Sequence, residues 1–113
     1  MTIKSFRTKF KIFGNSENLV NFGNSDNPDE AHLILAKPPE IKGNRVELHE
    51  GKAGSNCLTA KQLFDYVKAL KENCDQFELF FMRFGGGGWS VERVSSYPQN
   101  GVVYLDCNPE MSG

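Results

Sequence analysis

The sequence has little of what marks several common classes of protein. Its three cysteines, Cys57, Cys74 and Cys107, are an odd number without CxxC spacing. This pattern indicates neither a disulfide framework nor a zinc site. The chain has no run of about 18 apolar residues, and residues 1–10 contain no apolar targeting segment. The sequence therefore predicts a cytoplasmic protein with reduced thiols.

An excess of charge of one sign is also missing. The 13 basic and 14 acidic residues give a net charge of −1, so the general charge balance of a nucleic-acid-binding protein is absent. Hydrophobic residues make up 39% of the chain and include nine Phe, which indicates a packed interior. We predict a single domain over residues 1–113, with a flexible tail at 109–113.

Motifs for cofactors and metals are absent as well. The loop GKAGSNC at 51–57 lacks the Gly-Lys-Ser/Thr ending of a phosphate-binding loop. His32 and His49 have no partner at metal-ligand spacing. One acidic group lacks the residue order of an EF-hand and is typical of a solvated turn: Asn24, Asp26, Asp29 and Glu30. We therefore expect no cofactor and no metal.

A single enzyme hypothesis remains after this search. Cys57 precedes a predicted helix, whose dipole favours a thiolate, and His49 is near it in sequence. In this hypothesis Cys57 is a nucleophile and His49 its base. The alternative is an ordinary small buried cysteine.

What the sequence does contain is clear periodicity. Residues 4–12 alternate, with Phe6, Thr8, Phe10 and Ile12 on one face and Arg7, Lys9 and Lys11 on the other. This pattern predicts a half-buried strand. Its basic face is either a solvated strand face or a secondary surface for phosphates or an acidic partner.

A helix is predicted from residue 60 to about Asn73. Thr59 and Gln62 form a capping box at its start, and apolar residues then recur at spacings of three and four. Further strands are predicted at 31–37, 44–50, 77–84, 89–94 and 102–107, and the repeated FGNS motifs at 13–18 and 22–27 are typical of turns. The order β-β-β-α-β-β-β predicts an α+β fold, with an antiparallel sheet of about five to six strands packed on one helix.

The most unusual segment is RFGGGGWSVER, residues 83–93, in which four glycines precede the only Trp. A four-residue hairpin loop would pair Phe84 with Trp89, Met82 with Val91 and Phe80 with Arg93. That register places Trp89 beside Phe84 on the face opposite Phe81. A second hairpin, closed by the turn that contains Asn100-Gly101, would place Tyr97 opposite Val102, which pairs Arg93 with Asp106 and Val94 with Leu105. A slip of one residue would reverse the faces.

The glycine run has three interpretations. Four glycines are costly to order, at roughly 0.5–1 kcal/mol each relative to alanine. They could let a partner approach the backbone while Phe84 and Trp89 anchor it, or they could hold an anion near Arg83. In the third interpretation the run is a loose loop and Trp89 belongs to the core.

These observations favour a protein-binding module over an enzyme. We predict that it acts by steric occlusion of a partner protein, as an inhibitor, immunity or anti-defence protein, or adaptor. The predicted contact residues are Arg83, Phe84, Gly85, Gly86, Gly87, Gly88, Trp89 and Arg93, with Arg7, Lys9 and Lys11 as a secondary basic face. Nucleotide or nucleic-acid binding is the alternative, with the aromatic residues stacking on bases. The cysteine-dependent enzyme is a third hypothesis.

Overall fold

The computed structural model describes residues 1–24, 27–97 and 101–107. Helix α1 spans Ile3–Phe10 and continues into a 3₁₀ turn, Lys11–Phe13, while helix α2 spans Ala60–Lys68 and precedes a second 3₁₀ turn, Glu72–Cys74. The strands are Leu19–Asn24 (β1), Asn27–Leu33 (β2), Glu40–Lys42 (β3), Arg45–His49 (β4), Glu78–Met82 (β5), Gly88–Ser90 (β6), Arg93–Tyr97 (β7) and Val102–Asp106 (β8). Within these ranges no helix is long and apolar enough to cross a membrane. The predicted tail at 109–113 lies outside the described residues.

The chain begins with a helix, so the predicted strand over residues 4–12 is wrong. Three apolar side chains are fully buried on one side of α1: Ile3, Phe6 and Phe10. Ile12, which an alternating strand would bury, is 81% exposed. Phe6 and Phe10 are four residues apart, a spacing that suits both an alternating strand and a helix of about 3.6 residues per turn. The Thr2 hydroxyl caps the helix by accepting a hydrogen bond from the Ser5 N–H at 3.2 Å.

The predicted capping box of the second helix is confirmed. The Thr59 hydroxyl accepts the Gln62 N–H at 3.2 Å, and the Gln62 side chain accepts the Thr59 N–H at 3.0 Å. The helix ends at Lys68 rather than near Asn73, and the Ala69 N–H returns to the carbonyl of Asp65. The remaining predicted helical residues form an irregular segment and the 3₁₀ turn.

The strands form two four-stranded sheets, in the orders β2-β1-β8-β7 and β3-β4-β5-β6. The α+β class is confirmed, but a single antiparallel sheet on one helix is wrong in detail. Each sheet is mixed, because β1 pairs with β8 in parallel and β4 pairs with β5 in parallel. Helix α2 lies in the connection between the parallel strands β4 and β5, as expected for a parallel crossover.

The chain changes sheets between β6 and β7. The Val91 N–H donates to the Leu79 carbonyl of β5, whereas the Glu92 N–H donates to the Asp106 carbonyl of β8. The predicted strand over 89–94 is therefore two strands in different sheets. The register of β7 and β8 is confirmed: Arg93 pairs with Asp106, Val94 with Leu105 and Tyr97 with Val102.

One cluster of buried side chains joins both sheets and both helices. Its largest fully buried members are Phe6, Phe10, Phe22, Phe81, Ile3, Ile34, Leu58, Leu63, Leu79 and Leu105. Phe22 of β1 stacks on Phe81 of β5 with ring centroids 4.4 Å apart. This contact connects the two sheets next to the end of β5 that leads into the glycine run.

The predicted register of the glycine hairpin is wrong. The observed pairs are Phe80 with Ser90, Phe81 with Trp89 and Met82 with Gly88. Trp89 therefore lies opposite Phe81 and on the same face as it, rather than beside Phe84. The shift is an odd number of residues, so it reverses the face of every β6 side chain.

Gly88 explains the register, because it is a strand residue and not part of the loop. A Cβ at this position would lie 2.5 Å from Sδ of Met82 and 2.6 Å from the Phe81 carbonyl oxygen. The loop instead comprises residues 83–87, closed by a hydrogen bond of 3.0 Å from the Arg83 N–H to the Gly87 carbonyl. Its glycines have φ of 81°, 94° and 82° at Gly85, Gly86 and Gly87, a region that favours glycine.

Candidate partner-binding site

The glycine loop is fastened to the body of the protein by Glu50, which directly follows β4. One carboxylate oxygen, Oε1, accepts the Phe84 N–H at 2.9 Å. The other, Oε2, lies 2.9 Å from Nδ1 of His32 in β2. The Glu50 backbone N–H also donates to the Met82 carbonyl at 2.9 Å. A single residue therefore joins β2, the end of β5 and the loop.

The environment of Glu50 keeps its carboxylate charged. Partial burial alone would raise its pKa, but the hydrogen bonds from the Phe84 N–H and His32 and the nearby charge of Arg83 together lower the pKa below its ordinary value of 4.5. Hydrogen bonds to an ionised acceptor are roughly twice as strong as neutral ones. Glu50 is thus well suited to hold a loop that has three glycines in succession.

Trp89 lies at the margin of the core and remains 38% exposed. Its ring stacks on Phe22 with centroids 5.7 Å apart and an interplanar angle of 18°, and the His32 ring lies 6.4 Å away. The Arg83 guanidinium sits over the Trp89 ring, 5.2 Å from its centroid, within the range of a cation–π contact. The indole is thereby held in place while part of it stays exposed.

Phe84 is the second exposed aromatic residue of the loop, with 53% of its surface accessible. Its backbone is fixed by Glu50, and the Lys52 ammonium lies 5.9 Å from its ring centroid. A Cβ added at Gly85, Gly86 or Gly87 would meet no atom of the described residues within 4 Å. Bare backbone therefore adjoins the exposed rings.

These residues define the glycine-loop site: Lys52, Arg83, Phe84, Gly85, Gly86, Gly87 and Trp89. Chemically it offers an aromatic ring held by stacking, a second ring on an anchored backbone, two cations and an accessible backbone. Sequence analysis missed Lys52 and the supporting residues Glu50, His32 and Phe22. No sequence signal points to them, because Glu50 and Phe84 are 34 residues apart and no motif links them.

Arg93 is not part of this loop. It lies in β7, in the other sheet, where its guanidinium donates to Asp106 at 2.6 Å. Asp106 is fully buried, so the predicted cross-strand pair between these residues is a structural ion pair that neutralises a buried carboxylate.

The strand predicted to carry the basic residues Arg7, Lys9 and Lys11 is wrong, because these residues lie in α1 and the turn after it. Arg7 reaches across to the end of α2. Its Nε donates to the Val67 carbonyl at 2.9 Å and its Nη2 to the Leu70 carbonyl at 2.8 Å. It also forms an ion pair with Asp75. Arg7 thus caps a helix C-terminus, where cations are favourable.

The structure does not bring Cys57 and His49 into a hydrogen bond within the part of the chain that it describes. The Cys57 thiol lies 3.5 Å from the Ser55 carbonyl, and Nε2 of His49 lies 3.5 Å from Oε2 of Glu40. The backbone segment of Leu35 lies between them, since it bridges to Cys57 and bonds to the His49 carbonyl. The nucleophile–base geometry of the enzyme hypothesis has no counterpart there.

A second polar cluster lies on the other sheet edge, around β3 and β4. Ligand atoms of Glu40, Glu47 and His49 lie within 4.8 Å of one another, a grouping that sequence spacing did not reveal. Lys42 lies 3.6 Å from Glu40 and 3.8 Å from Glu47, and Arg45 lies 2.8 Å from Glu47. These cations supply the positive charge that a metal ion would otherwise bring.

Glu40 itself illustrates this neutralisation. The hydrogen bond from Lys37, followed by the charges of His49 and Lys37, lowers the pKa of its carboxyl below the ordinary value. The cluster is best described as an ionic network that fastens β3 to β4. Of the acidic group predicted as a turn, Asn24 ends β1 and Asp29 and Glu30 lie in β2, while Asp26 lies outside the described residues.

Comparison with known proteins gives no further guide to the site. Neither a protein-family model, nor a curated protein, nor a solved structure matches this chain.

Proposed function

We propose that this chain is a protein-binding module that acts by occluding a surface of a partner protein, as an inhibitor, immunity or anti-defence protein, or adaptor does. The glycine-loop site is the contact surface. The observation that carries the proposal is the combination of two exposed aromatic rings with a loop that Glu50 fixes in place. Aromatic residues and Arg are enriched among the residues that dominate interface energy.

Preorganisation supports this proposal. Binding is weakened when loops and long side chains must be ordered on contact. Here Trp89 already stacks on Phe22, and the Phe84 backbone already donates to Glu50. A partner therefore buries a Trp89 ring that is already held in place, and a Phe84 ring whose backbone is already fixed. The open glycine backbone lets it approach closely, which suits occlusion of a surface.

The proposal places the protein in the cytoplasm. The three cysteines are free thiols, and Cys57 and Cys107 are only partly buried. Free, accessible thiols persist in reducing compartments.

A second candidate is binding of single-stranded nucleic acid, favoured by one feature of the same site. Each exposed ring has a cation over it, Arg83 on Trp89 and Lys52 on Phe84. Rings combined with cations bind single strands by stacking and phosphate contact. A base would have to compete with Arg83 and Phe22 for the Trp89 ring, which is why we rank this function second.

Site-specific photo-crosslinking in cells tests the proposal. A photoreactive phenylalanine analogue at position 84 is compared with the same analogue at position 12, since Ile12 is 81% exposed but lies in the turn after α1. We expect a discrete protein adduct from position 84 alone, which disappears when Trp89→Ala is added.

Two results would overturn the proposal. Equal adducts from positions 84 and 12 would mean that the site has no selectivity. Adducts with nucleic acid in cells, which in a lysate vanish steeply when salt is raised before irradiation, would establish the second candidate instead, because phosphate contacts are strongly salt-dependent.

A further inference from the structure

Among the described residues, the exposed charged side chains of the glycine-loop site are both positive. Arg83 and Lys52 are both exposed, and within residues 1–24, 27–97 and 101–107 neither forms a salt bridge. Several basic side chains elsewhere are paired with carboxylates, whereas Lys4 and Lys11 form no salt bridge within these ranges either; the paired ones are Arg7, Lys37, Lys42, Arg45, Lys61 and Arg93. Arg83 contacts the Trp89 ring and its charge acts on Glu50, but among the described residues neither cation has a carboxylate at salt-bridge distance, so both can still pair with a carboxylate of a partner.

Among the described residues, the carboxylate that reaches the site is that of Glu50, and it is already occupied. Both oxygens of Glu50 have partners within the protein, one at the Phe84 N–H and one at His32. Its side chain is only 15% exposed. It holds the loop from beneath and leaves the outward-facing charge to Arg83 and Lys52.

The distribution of charge over the chain favours a protein carboxylate over a nucleic-acid phosphate as the group that binds at this site. The chain carries a net charge of −1, and Arg7, which sequence analysis placed on a basic face, is used to cap α2. A polyanion needs a continuous basic track. Two cations that flank two aromatic rings suit a short segment with one or two carboxylates beside an apolar side chain.

We infer that the glycine-loop site recognises an acidic segment of the partner. Its carboxylates lie against Arg83 and Lys52, and an apolar side chain covers the exposed part of Trp89. This inference rests on the proposed protein-binding function and names the chemistry of the partner.

Selection from a library of short random peptides tests it. Peptides selected on the wild-type protein should carry Asp or Glu next to a large apolar residue, and they should lose binding to Trp89→Ala. Replacing the peptide's carboxylates with amides should weaken binding to the wild type about tenfold. The same replacement should have no effect on the variant Lys52→Gln/Arg83→Gln, because the interacting charges are then gone.

The variant Lys4→Gln/Lys11→Gln is the matched control. It removes the same charge from α1 and the turn after it, and the start of α1 lies by the start of β5 rather than by the end that leads to the loop. This variant should bind the acidic peptides as the wild type does. Thermal unfolding of each variant confirms that the fold is retained.

The possible failures are distinguishable. Peptides that depend on Trp89 but show no preference for carboxylates would overturn this inference and leave the proposed function standing. If no peptide depends on Phe84 or Trp89, both fail. A further outcome is that single-stranded oligothymidine displaces the acidic peptides at concentrations lower than those the peptides themselves need for binding. That result would overturn the inference in favour of nucleic acid.

Discussion

At the scale of single residues, the Glu50 carboxylate joins segments that are distant in the chain. It meets His32 on one side and the Phe84 N–H on the other. Sequence reasoning identified the rings that the loop displays but not the acid that fixes them. A glutamate after a strand is unremarkable in a sequence, and its role depends on a tertiary contact that no local pattern encodes.

Replacing Glu50 with Gln should loosen the loop. The amide can still accept the Phe84 N–H, but the charge-assisted character of both bonds is lost. We expect the free energy of unfolding to fall by about 1 kcal/mol, measured by urea denaturation. Glu17→Gln is the control, because Glu17 is 76% exposed and its nearest cation is 3.8 Å away. A Glu50→Gln variant as stable as Glu17→Gln would contradict the role given to Glu50.

Glu50 should also make the free energy of unfolding depend on pH. Folding lowers the pKa of Glu50 from its ordinary value of 4.5, so near that pH the unfolded chain binds more protons than the folded one. The stabilisation is therefore fully present above pH 4.5 and is lost as pH falls through the lower folded pKa. The difference in unfolding free energy between wild type and Glu50→Gln should shrink in that acidic range. A difference that stays constant there would show that Glu50 does not act through its charge.

At the scale of elements, predictions succeeded where local chemistry and tertiary packing agree. The capping box at Thr59 and the pairing of β7 with β8 followed from adjacent residues. The prediction for the first element was wrong because the spacing of Phe6 and Phe10 fits both an alternating strand and a helix. The hairpin register failed because Gly88 looked like a loop residue, while the close approach of Met82 makes it a strand residue.

The helical start can be tested by substitution. Phe10→Ala removes a fully buried ring and should cost about 3–5 kcal/mol. Ile12→Ala should change the unfolding free energy by less than about 0.5 kcal/mol, since Ile12 is 81% exposed. Chemical denaturation measures both. Comparable losses from the two substitutions would indicate the alternating strand instead.

The glycines of the loop should respond unequally to alanine. Gly86 has φ of 94° but open space around it, so Gly86→Ala meets backbone strain alone and should cost about 1–2 kcal/mol. Gly88→Ala places a Cβ 2.6 Å from the Phe81 carbonyl oxygen and should cost about 1–3 kcal/mol and also disturb the Trp89 position. Near-ultraviolet circular dichroism of the single Trp distinguishes the two variants, because only Gly88→Ala should change the Trp signal. An unchanged Trp signal in Gly88→Ala would contradict the observed register.

At the scale of the whole molecule, the two sheets meet where Phe22 stacks on Phe81 and Trp89. The glycine run therefore does not form a free tip remote from the core. It emerges beside the contact between the sheets, and this contact holds Trp89 while 38% of it stays exposed. The sequence posed a choice between a core Trp and a surface Trp, whereas the structure shows one that is anchored by the core and still accessible.

The central claim is that a partner covers Trp89, and the fluorescence of this single Trp tests it most directly. The free protein should show emission that acrylamide quenches partially, in keeping with an anchored but accessible ring. Saturation with a selected acidic peptide that itself lacks Trp should shift the emission to shorter wavelength and reduce the quenching, while Phe84→Ala should weaken the peptide's affinity. Emission and quenching that remain unchanged at saturation would contradict the account.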